Sequence, residues 1–431
     1  MRIRHPAQEA GRSLVVIVGG GFGGLNAAKT LSHHKDVFVI LIDQKNHHLF
    51  QPLLYQVATA GLNPGDIAVP IRAQFSNVEN IEVHWGKVDK VDLQQRVISY
   101  SEGELEFDYL ILACGAQHSY FAHPEWEKFA PGLKTLEQAT EIRRRILSAF
   151  ERAENEMDPV RQQALLNFIV VGGGPTGVEM AGAIADIART VIVNDFKRID
   201  PALAQVTLIE AGDRVLSTFS KDLSEKTKED LQNLGVQVRT SSRVEKINEE
   251  GVWVAGQFMP SETVIWAAGV RAAPMTLEPA VQRDSAGRIQ VNTDLTVPGF
   301  SNCFVIGDMA AVPWTHERIV PGLAPAAIQE GKHAAQMILN SLHHFPRKEF
   351  CYLDKGQMAT IGKNKAVLQA GAIQMSGLFA WLAWLFIHIF YLIGFRNRFS
   401  VMLQWAWNYL FSKRGTRLIT ERNWELGKSE D

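Results

Sequence analysis

Residues 13–24 read SLVVIVGGGFGG, and the helix-forming LNAAKTL follows at 25–31. An apolar, β-branched run, a glycine-rich turn and a helix are the opening of a βαβ unit. The turn comprises Gly19, Gly20, Gly21, Phe22, Gly23 and Gly24, with the spacing Gly19-x-Gly21-x-x-Gly24. Glycine at these positions permits the tight turn, lets the backbone approach a pyrophosphate and packs the helix close to the strand. The helix N-terminus then offers free N–H groups and its dipole to the phosphates. The next apolar run, VFVILIDQK at 37–45, ends in Asp43, 22 residues beyond Gly21. A carboxylate there accepts hydrogen bonds from ribose hydroxyls.

The same arrangement recurs. Residues 167–177 read NFIVVGGGPTG and lead into VEMAGAIADIA, giving a second loop, Gly172-x-Gly174-x-x-Gly177. Its strand-end acid is Glu210 in VTLIEAG, 36 residues beyond Gly174. That exceeds the usual separation of roughly 20 and predicts an extended helix and loop through about residue 204. Glu210 would bind a ribose 2′-hydroxyl and repel a 2′-phosphate, favouring NADH over NADPH; Arg214, four residues on, softens that preference. Each unit also has a later matching strand, YLILACGA at 109–116 and TVIWAAGV at 263–270. A third signal separates the two loops. NCFVIGDMA at 302–310 is an apolar strand ending in Gly307-Asp308, where an acid can reach the ribityl hydroxyls of an extended FAD. The first loop is therefore read as the FAD site and the second as the NADH site.

The expected fold class is α/β: two nested Rossmann-like, doubly wound domains plus a C-terminal region of strands and membrane-associating amphipathic helices. The FAD-binding domain is expected at 1–120 with a return segment at 290–335, and the NADH-binding domain at 125–285. A helix over 135–157 joins them, and a small hairpin surrounds 251–258. The C-terminal region spans 345–431, with its membrane anchor at 377–411.

Composition narrows the alternatives. A net charge of −2, with no basic run in the first 390 residues, excludes a nucleic-acid footprint. The 3 cysteines, Cys114, Cys303 and Cys351, form no CxxC pair, no zinc spacing and no disulfide framework. They read as structural, and no metal site is expected. The N-terminal MRIRHPAQEAGRSL lacks the apolar core of a signal peptide.

Residues 377–394, GLFAWLAWLFIHIFYLIG, carry His388 as their only strongly polar side chain. As a helix this run would reach about 27 Å, just short of a ~30 Å hydrocarbon core. A single span would also carry Arg396 and Arg398 to the far side, against the positive-inside rule. The following run, 399–411, is too short to return. It has a polar stripe, Ser400, Gln404, Asn408 and Ser412, with Phe399, Met402, Leu403, Ala406 and Leu410 facing elsewhere. Trp405, Trp407 and Tyr409 suit a membrane interface, and Arg396, Arg398, Lys413, Arg414 and Arg417 suit anionic headgroups. The expectation is a monotopic anchor of two in-plane or shallow helices, with His388 packed rather than ligating.

These segments together resemble the two-dinucleotide-binding-domain flavoproteins, and within them the type II NADH dehydrogenases, single-subunit NADH:quinone oxidoreductases. The resemblance rests on GGGFGG at 19–24, HLFQPLLYQVATAG at 48–61, GGGPTGVEMAG at 172–182, WAAGV at 266–270, VIGDMA at 305–310, APAAIQEGKHAA at 324–335 and IGFRNRFSVMLQWAWNYL at 393–410. It implies FAD contacts from the first loop, Asp43, Gln44, Val88, Ala113, the backbone near Cys114, Gly307, Asp308, Ala327 and Lys363. It implies NADH contacts from Gly172, Gly174, Pro175, Thr176, Gly177, Glu210, Ala268 and Gly269. Glu179 is placed near the meeting point of nicotinamide and flavin. The family's AQxAxQ motif appears as Ala324-Pro325-Ala326-Ala327-Ile328-Gln329, so Pro325 replaces the first glutamine and Gln329 is the retained one. Glu179 and Gln329 are the candidate catalytic residues.

The resemblance implies hydride transfer from NADH to FAD, then two electrons to a membrane quinone, without proton pumping. It also implies the cytoplasmic face of the cell membrane, contact of the C-terminal helices with the bilayer surface, and a homodimer by analogy. The glycine motifs alone leave other readings open. One is the same fold with a ferredoxin-like acceptor or sulfide as donor. Another is an NADH-binding, redox-gated flavoprotein of the apoptosis-inducing-factor type.

Overall fold

The computed structural model describes residues 5–315, 318–411 and 415–420, which form two compact units. Ser412, Lys413 and Arg414 lie outside the described residues.

The first unit comprises Met1–Leu49, Ala68–Gln117 and Val270–Lys355. Its main sheet runs Thr296–Val297, Phe300–Val305, Tyr109–Leu112, Ser13–Val18, Val37–Asp43 and Ile81–Trp85. The five longer strands are all parallel. In chain order they stand 3-2-1-4-5, the order of a doubly wound half-fold. Leu14 to Val18 and Val37 to Ile42 are buried without interruption, because both faces of a parallel sheet are covered. The helix Phe22–Leu31 follows the first strand, and the helix Ala324–Leu342 packs against it. A Cβ at Gly331 would collide with the Gly23 carbonyl, so the two helices meet backbone to backbone. A mid-helix glycine costs about 1 kcal/mol relative to alanine, and this close approach is its compensation.

The second unit comprises Phe50–Ile67, His118–Gly269 and Gly356–Asp431. Its parallel sheet is ordered Val236–Arg239, Gln205–Ile209, Asn167–Val171 and Thr263–Trp266. This is again 3-2-1-4. The helix Pro175–Asp186 follows the first of these strands. A π-helical turn at Ile187–Val191 and a short turn at Pro201–Leu203 fill the long stretch before Glu210. The helix Leu136–Asn155 starts on a capping box made by Thr135 and Gln138. The hairpin of Gly251–Val254 and Gln257–Pro260 extends to a third strand, Val244–Ile247.

Three antiparallel strands, Gln357–Gly362, Lys365–Ala370 and Ile373–Ser376, precede the apolar helices. The first lies on the 175–186 helix, where a Cβ at Gly182 would collide with the Ile361 carbonyl. The apolar C-terminal stretch forms two helices, as expected. Gly377–Tyr391 stops at an extended Leu392, Gly394 takes φ +89°, and Phe395–Phe411 begins anew. The Arg398 guanidinium donates to the carbonyls of Leu392 (2.7 Å) and Phe390 (2.9 Å), satisfying the end of the first helix. No helix among the described residues is long and apolar enough to cross a membrane.

The polar stripe of the last helix turns inward. Ser400 Oγ and Gln404 Nε2 donate to the Asp66 carboxylate at 3.0 and 2.9 Å, Asn408 Nδ2 to the Gly61 carbonyl at 3.4 Å, and Trp405 Nε1 to Gln56 Oε1 at 2.7 Å. Phe395, Phe399, Met402, Leu403, Trp407 and Leu410 are left exposed, as are Phe379, Leu382, Phe386 and Phe390 on the preceding helix. That helix buries Ala380, Trp384 and His388 at four-residue spacing. His388 is a packing residue. Nδ1 donates to the Trp384 carbonyl (2.7 Å), the ring stacks on Trp384, and burial lowers its pKa to about 4. Arg417 is paired with Asp195 rather than projecting freely.

Candidate active site

Two loops of nearly identical construction occupy the C-terminal ends of the two parallel sheets. In the first unit Gly19 takes φ +105°, and a Cβ there would strike the Ala113 carbonyl. A Cβ at Gly24 would strike the Gly19 carbonyl, and one at Gly20 would come within 2.5 Å of Ile71 Cδ1. Gly21, the N-cap of the 22–31 helix, has open space before it and no side-chain cap. The uncapped helix start therefore leaves its N–H groups open in the manner that suits a pyrophosphate. Asp43 shapes this loop directly: Oδ2 accepts from the Gly20 N–H (2.6 Å) and Oδ1 from the Lys45 N–H (2.7 Å). Burial raises its pKa while these two amides oppose the rise.

The second unit repeats each feature. Gly172 takes φ +111°, with no room for a Cβ against the Ala267 carbonyl and the Ala268 amide. Gly177 abuts the Gly172 carbonyl, and Gly174 is the open, uncapped start of the 175–186 helix, with Pro175 and Thr176 as its first residues. Glu210 Oε2 accepts from the Gly173 N–H (2.5 Å) and Oε1 from the Gly212 N–H (2.6 Å). Arg214 donates instead to the carbonyls of Ser217 and Phe219. Its charge is thus tied to its own loop.

Several expected FAD contacts gather at the first loop. Ala113 flanks Gly19, and Gly23 faces the Ala327 carbonyl and Ile306. Gly307, at φ +69°, opens towards Ala327, and the Asp308 carboxylate lies beside Gly322. Gln44 is exposed at the loop's edge, and its carbonyl accepts from Trp85 Nε1 (2.9 Å). Val88 is buried in the strand Val88–Asp92. Lys363 belongs to the second unit, where its ammonium donates to the Tyr409 carbonyl (2.9 Å) and lies 4.2 Å from that ring's centre.

Glu179 is the fifth residue of the 175–186 helix. Burial pushes its carboxyl up to about 8, against a lowering contribution from the Thr360 amide. The protonated form is thereby favoured, a property suited to proton relay. Gln329 is committed to the backbone: Nε2 donates to the carbonyls of Pro325 and Leu353, and Oε1 accepts from the Leu353 N–H.

Four further residues border these loops without having been expected there. His48 Nδ1 donates to the Gly20 carbonyl (3.0 Å), and burial lowers its pKa to about 4, so the neutral ring braces the first loop. Glu330 is 2% exposed, and Oε2 accepts from the Gly307 N–H (2.5 Å) beside Asp308. Burial, aided by the Asp308 charge, pushes it up to about 7. Trp85 stands opposite Asp43 in the sheet register, and Phe121 packs on Gly269. Only Glu330 had a visible signal, the acid preceding an interior helical glycine. The other three depend on register or on chain-distant contacts. The thiols are all free, and burial pushes Cys114 and Cys303 up to about 12, leaving them unreactive. No metal-binding cluster occurs among the described residues.

Two sheets of one strand order, each with a glycine loop clamped by its own strand-end acid, define a two-nucleotide pyridine nucleotide–flavin oxidoreductase. The family profile described as pyridine nucleotide-disulphide oxidoreductase matches residues 13–331, and that described as NDH2 C-terminal domain matches 355–414. The chain is 43% identical to the type II NADH:quinone oxidoreductase Ndh of Mycobacterium tuberculosis, over 96% of this chain and 92% of that protein. It is 40% identical to NdhA of the same organism, over 97% and 92%. The structure of NDH2 from Plasmodium falciparum in complex with NADH superposes with a TM-score of 0.86 at 21% identity, covering 95% of this chain and 100% of that one. The chain belongs to the type II NADH:quinone oxidoreductase (NDH2) family.

Proposed function

We propose that this chain oxidises NADH and reduces a membrane quinone, with FAD in the first unit, NADH in the second and a bilayer against its two C-terminal helices. Bound FAD supplies the two-electron redox chemistry. The protein's part is to hold the nucleotides, keep water out and manage protons. Gly19 to Gly24, Asp43 and the Gly307–Asp308 turn would hold FAD. Gly172 to Gly177, Glu210 and Ala268–Gly269 would hold NADH. Glu179 is assigned the proton relay, and Gln329 a positioning role through Leu353. The observation that carries this reading is the repeated acid-clamped loop, one copy per unit.

The outward apolar face of the C-terminal helices supports lipid contact, since a quinone is dissolved in the bilayer and must be met there. Because NADH is cytoplasmic, the lipid contact is assigned to the cytoplasmic leaflet. No charge-translocating machinery is proposed, and electron transfer proceeds without proton pumping.

Purified flavin-loaded protein should bleach on adding NADH and recover its colour on adding a short-chain quinone. Bleaching without recovery would remove quinone as acceptor. Deleting residues 377–431 should release the protein from membranes, and a truncated form that stays membrane-bound would refute the anchor. A concentration-dependent doubling in mass without vesicle binding would instead assign the apolar face to a second copy of the chain.

A further inference from the structure

The segment joining the two units' sequences at 118–121 is strapped to the end of the second unit's fourth strand. The Ser119 N–H donates to the Gly269 carbonyl (3.2 Å), and Trp266 Nε1 donates to the Ser119 carbonyl (3.0 Å). Tyr120 is 7% exposed, stacked on Trp266, with its hydroxyl donating to the Ala130 carbonyl (2.8 Å). The next residue does the opposite. Phe121 adopts φ +54°, a left-handed backbone that an aromatic residue rarely takes, and its N–H donates to Ser119 Oγ (3.3 Å). This turn swings the ring out of the core, where it is 68% exposed and rests on Gly269. A Cβ at Gly269 would come within 3.0 Å of the ring tip, and Gly269 itself takes φ +81°, so glycine suits both the backbone and the close contact.

Topology says what passes this ring. In a 3-2-1-4 sheet, ligands bind beyond the strand C-termini at the point where strand order reverses, between strands 1 and 4. Here those are 167–171 and 263–266. The pyrophosphate belongs at the Gly174 helix start, and Glu210, at the end of strand 2, marks the adenosine side. The other half of the dinucleotide must run the opposite way, across the end of strand 4 and over Ala268–Gly269. Phe121 stands on that path.

We propose that Phe121 is a positioning residue that packs its ring against the nicotinamide half of NADH. This rests on the assignment of the second loop to NADH. A planar, exposed ring held by a strained backbone loses little freedom on binding and offers an offset-stacking or edge contact to another planar ring. The backbone strain persists because Ser119 and Tyr120 fix the chain before the turn and the His123 N–H donates to the Tyr120 carbonyl across it (3.0 Å).

The test uses the full-length, FAD-loaded enzyme. Binding of NAD⁺ and of ADP-ribose is titrated by tryptophan fluorescence, and KM is measured for NADH and for a short-chain quinone. Phe121→Ala should weaken NAD⁺ binding and raise the NADH KM roughly three- to tenfold. ADP-ribose binding, FAD content and the quinone KM should stay at wild-type values. Phe121→Gly, which relieves the left-handed backbone, should show the same loss, and Phe121→Tyr should restore binding. Unchanged NAD⁺ affinity in Phe121→Ala, or equal loss of ADP-ribose, overturns the proposal. Gly174→Val separates it from the underlying assignment. If that variant still binds ADP-ribose normally, the second loop is not the NADH site. If it does not, while Phe121→Ala binds NAD⁺ as wild type, only the role of Phe121 fails.

Discussion

Gln329 and Leu353 exchange hydrogen bonds in both directions, side-chain amide to backbone carbonyl and backbone amide to side-chain oxygen, each at 3.0 Å. The glutamine thus imitates a strand partner and fastens residue 353 to the 324–342 helix. Replacing it with alanine removes both bonds and leaves two backbone groups to find water. Gln329→Ala should therefore lose on the order of 1–2 kcal/mol of stability. Amide exchange should quicken at 352–354, and any fall in turnover should track that loosening. A large fall in turnover with unchanged melting temperature and exchange would instead make Gln329 a group that touches the reactants.

Glu210 braces the Gly173 and Gly212 amides, and the proposed NADH site also gives it the ribose to meet. Glu210→Gln keeps an acceptor but removes the charge. The ratio of kcat/KM for NADPH to that for NADH should rise at least tenfold, since a 2′-phosphate no longer faces a carboxylate. Arg214 needs no substitution for this gain, because its guanidinium is held by its own loop. An unchanged ratio would place the adenosine ribose elsewhere.

Glu330 should make stability pH-dependent. Its folded pKa, about 7, lies above the ordinary carboxylate value of 4.5. The fold therefore favours the protonated form. The contribution is fully present below about pH 4.5 and is lost as pH rises through about 7. Between pH 6 and 8 the wild type should lose on the order of 1 kcal/mol relative to Glu330→Gln. Melting curves of the two proteins should diverge over that interval. Parallel curves would mean that the carboxylate is compensated by another group.

The outward apolar face predicts a reversal of the usual surface rule. Phe386→Asp and Leu410→Asp change exposed side chains, 72% and 71% exposed, and should leave the melting temperature in detergent unaltered. Each should reduce binding to vesicles at least tenfold, because a carboxylate in the acyl boundary costs about 2–3 kcal/mol. Ser400→Leu, which makes the helix more hydrophobic, should destabilise the fold by removing one of the two side-chain hydrogen bonds that Asp66 accepts from this helix. Vesicle binding that survives both aspartates would remove lipid as the partner of this face.

Both nucleotide loops and their acids were legible in the sequence because strand, glycine turn, helix and acid are consecutive and each has a local signature. The doubly wound class of both domains followed from them. What stayed hidden depends on register and direction. The periodicity of Ser400, Gln404 and Asn408 announced a polar stripe but not that it points at Asp66. The 18 apolar residues from Gly377 read as one run, yet the chain breaks at Leu392, where Arg398 caps the first helix. The place of Lys363 beneath Tyr409 depends on a turn and a helix 46 residues apart. His48 and Phe121 carry no sequence signal, because their partners are a loop carbonyl and a distant glycine.

Asp43 and Glu210 each hold the amide of their loop's second glycine by bonds internal to the protein. The loops are shaped before anything arrives, so an incoming nucleotide does not have to order them. Little conformational entropy is lost on arrival and little is regained on departure. With NADH at the second loop, as proposed, spent dinucleotide should leave without an unfolding step, exchange then being governed by contacts to the nucleotide itself.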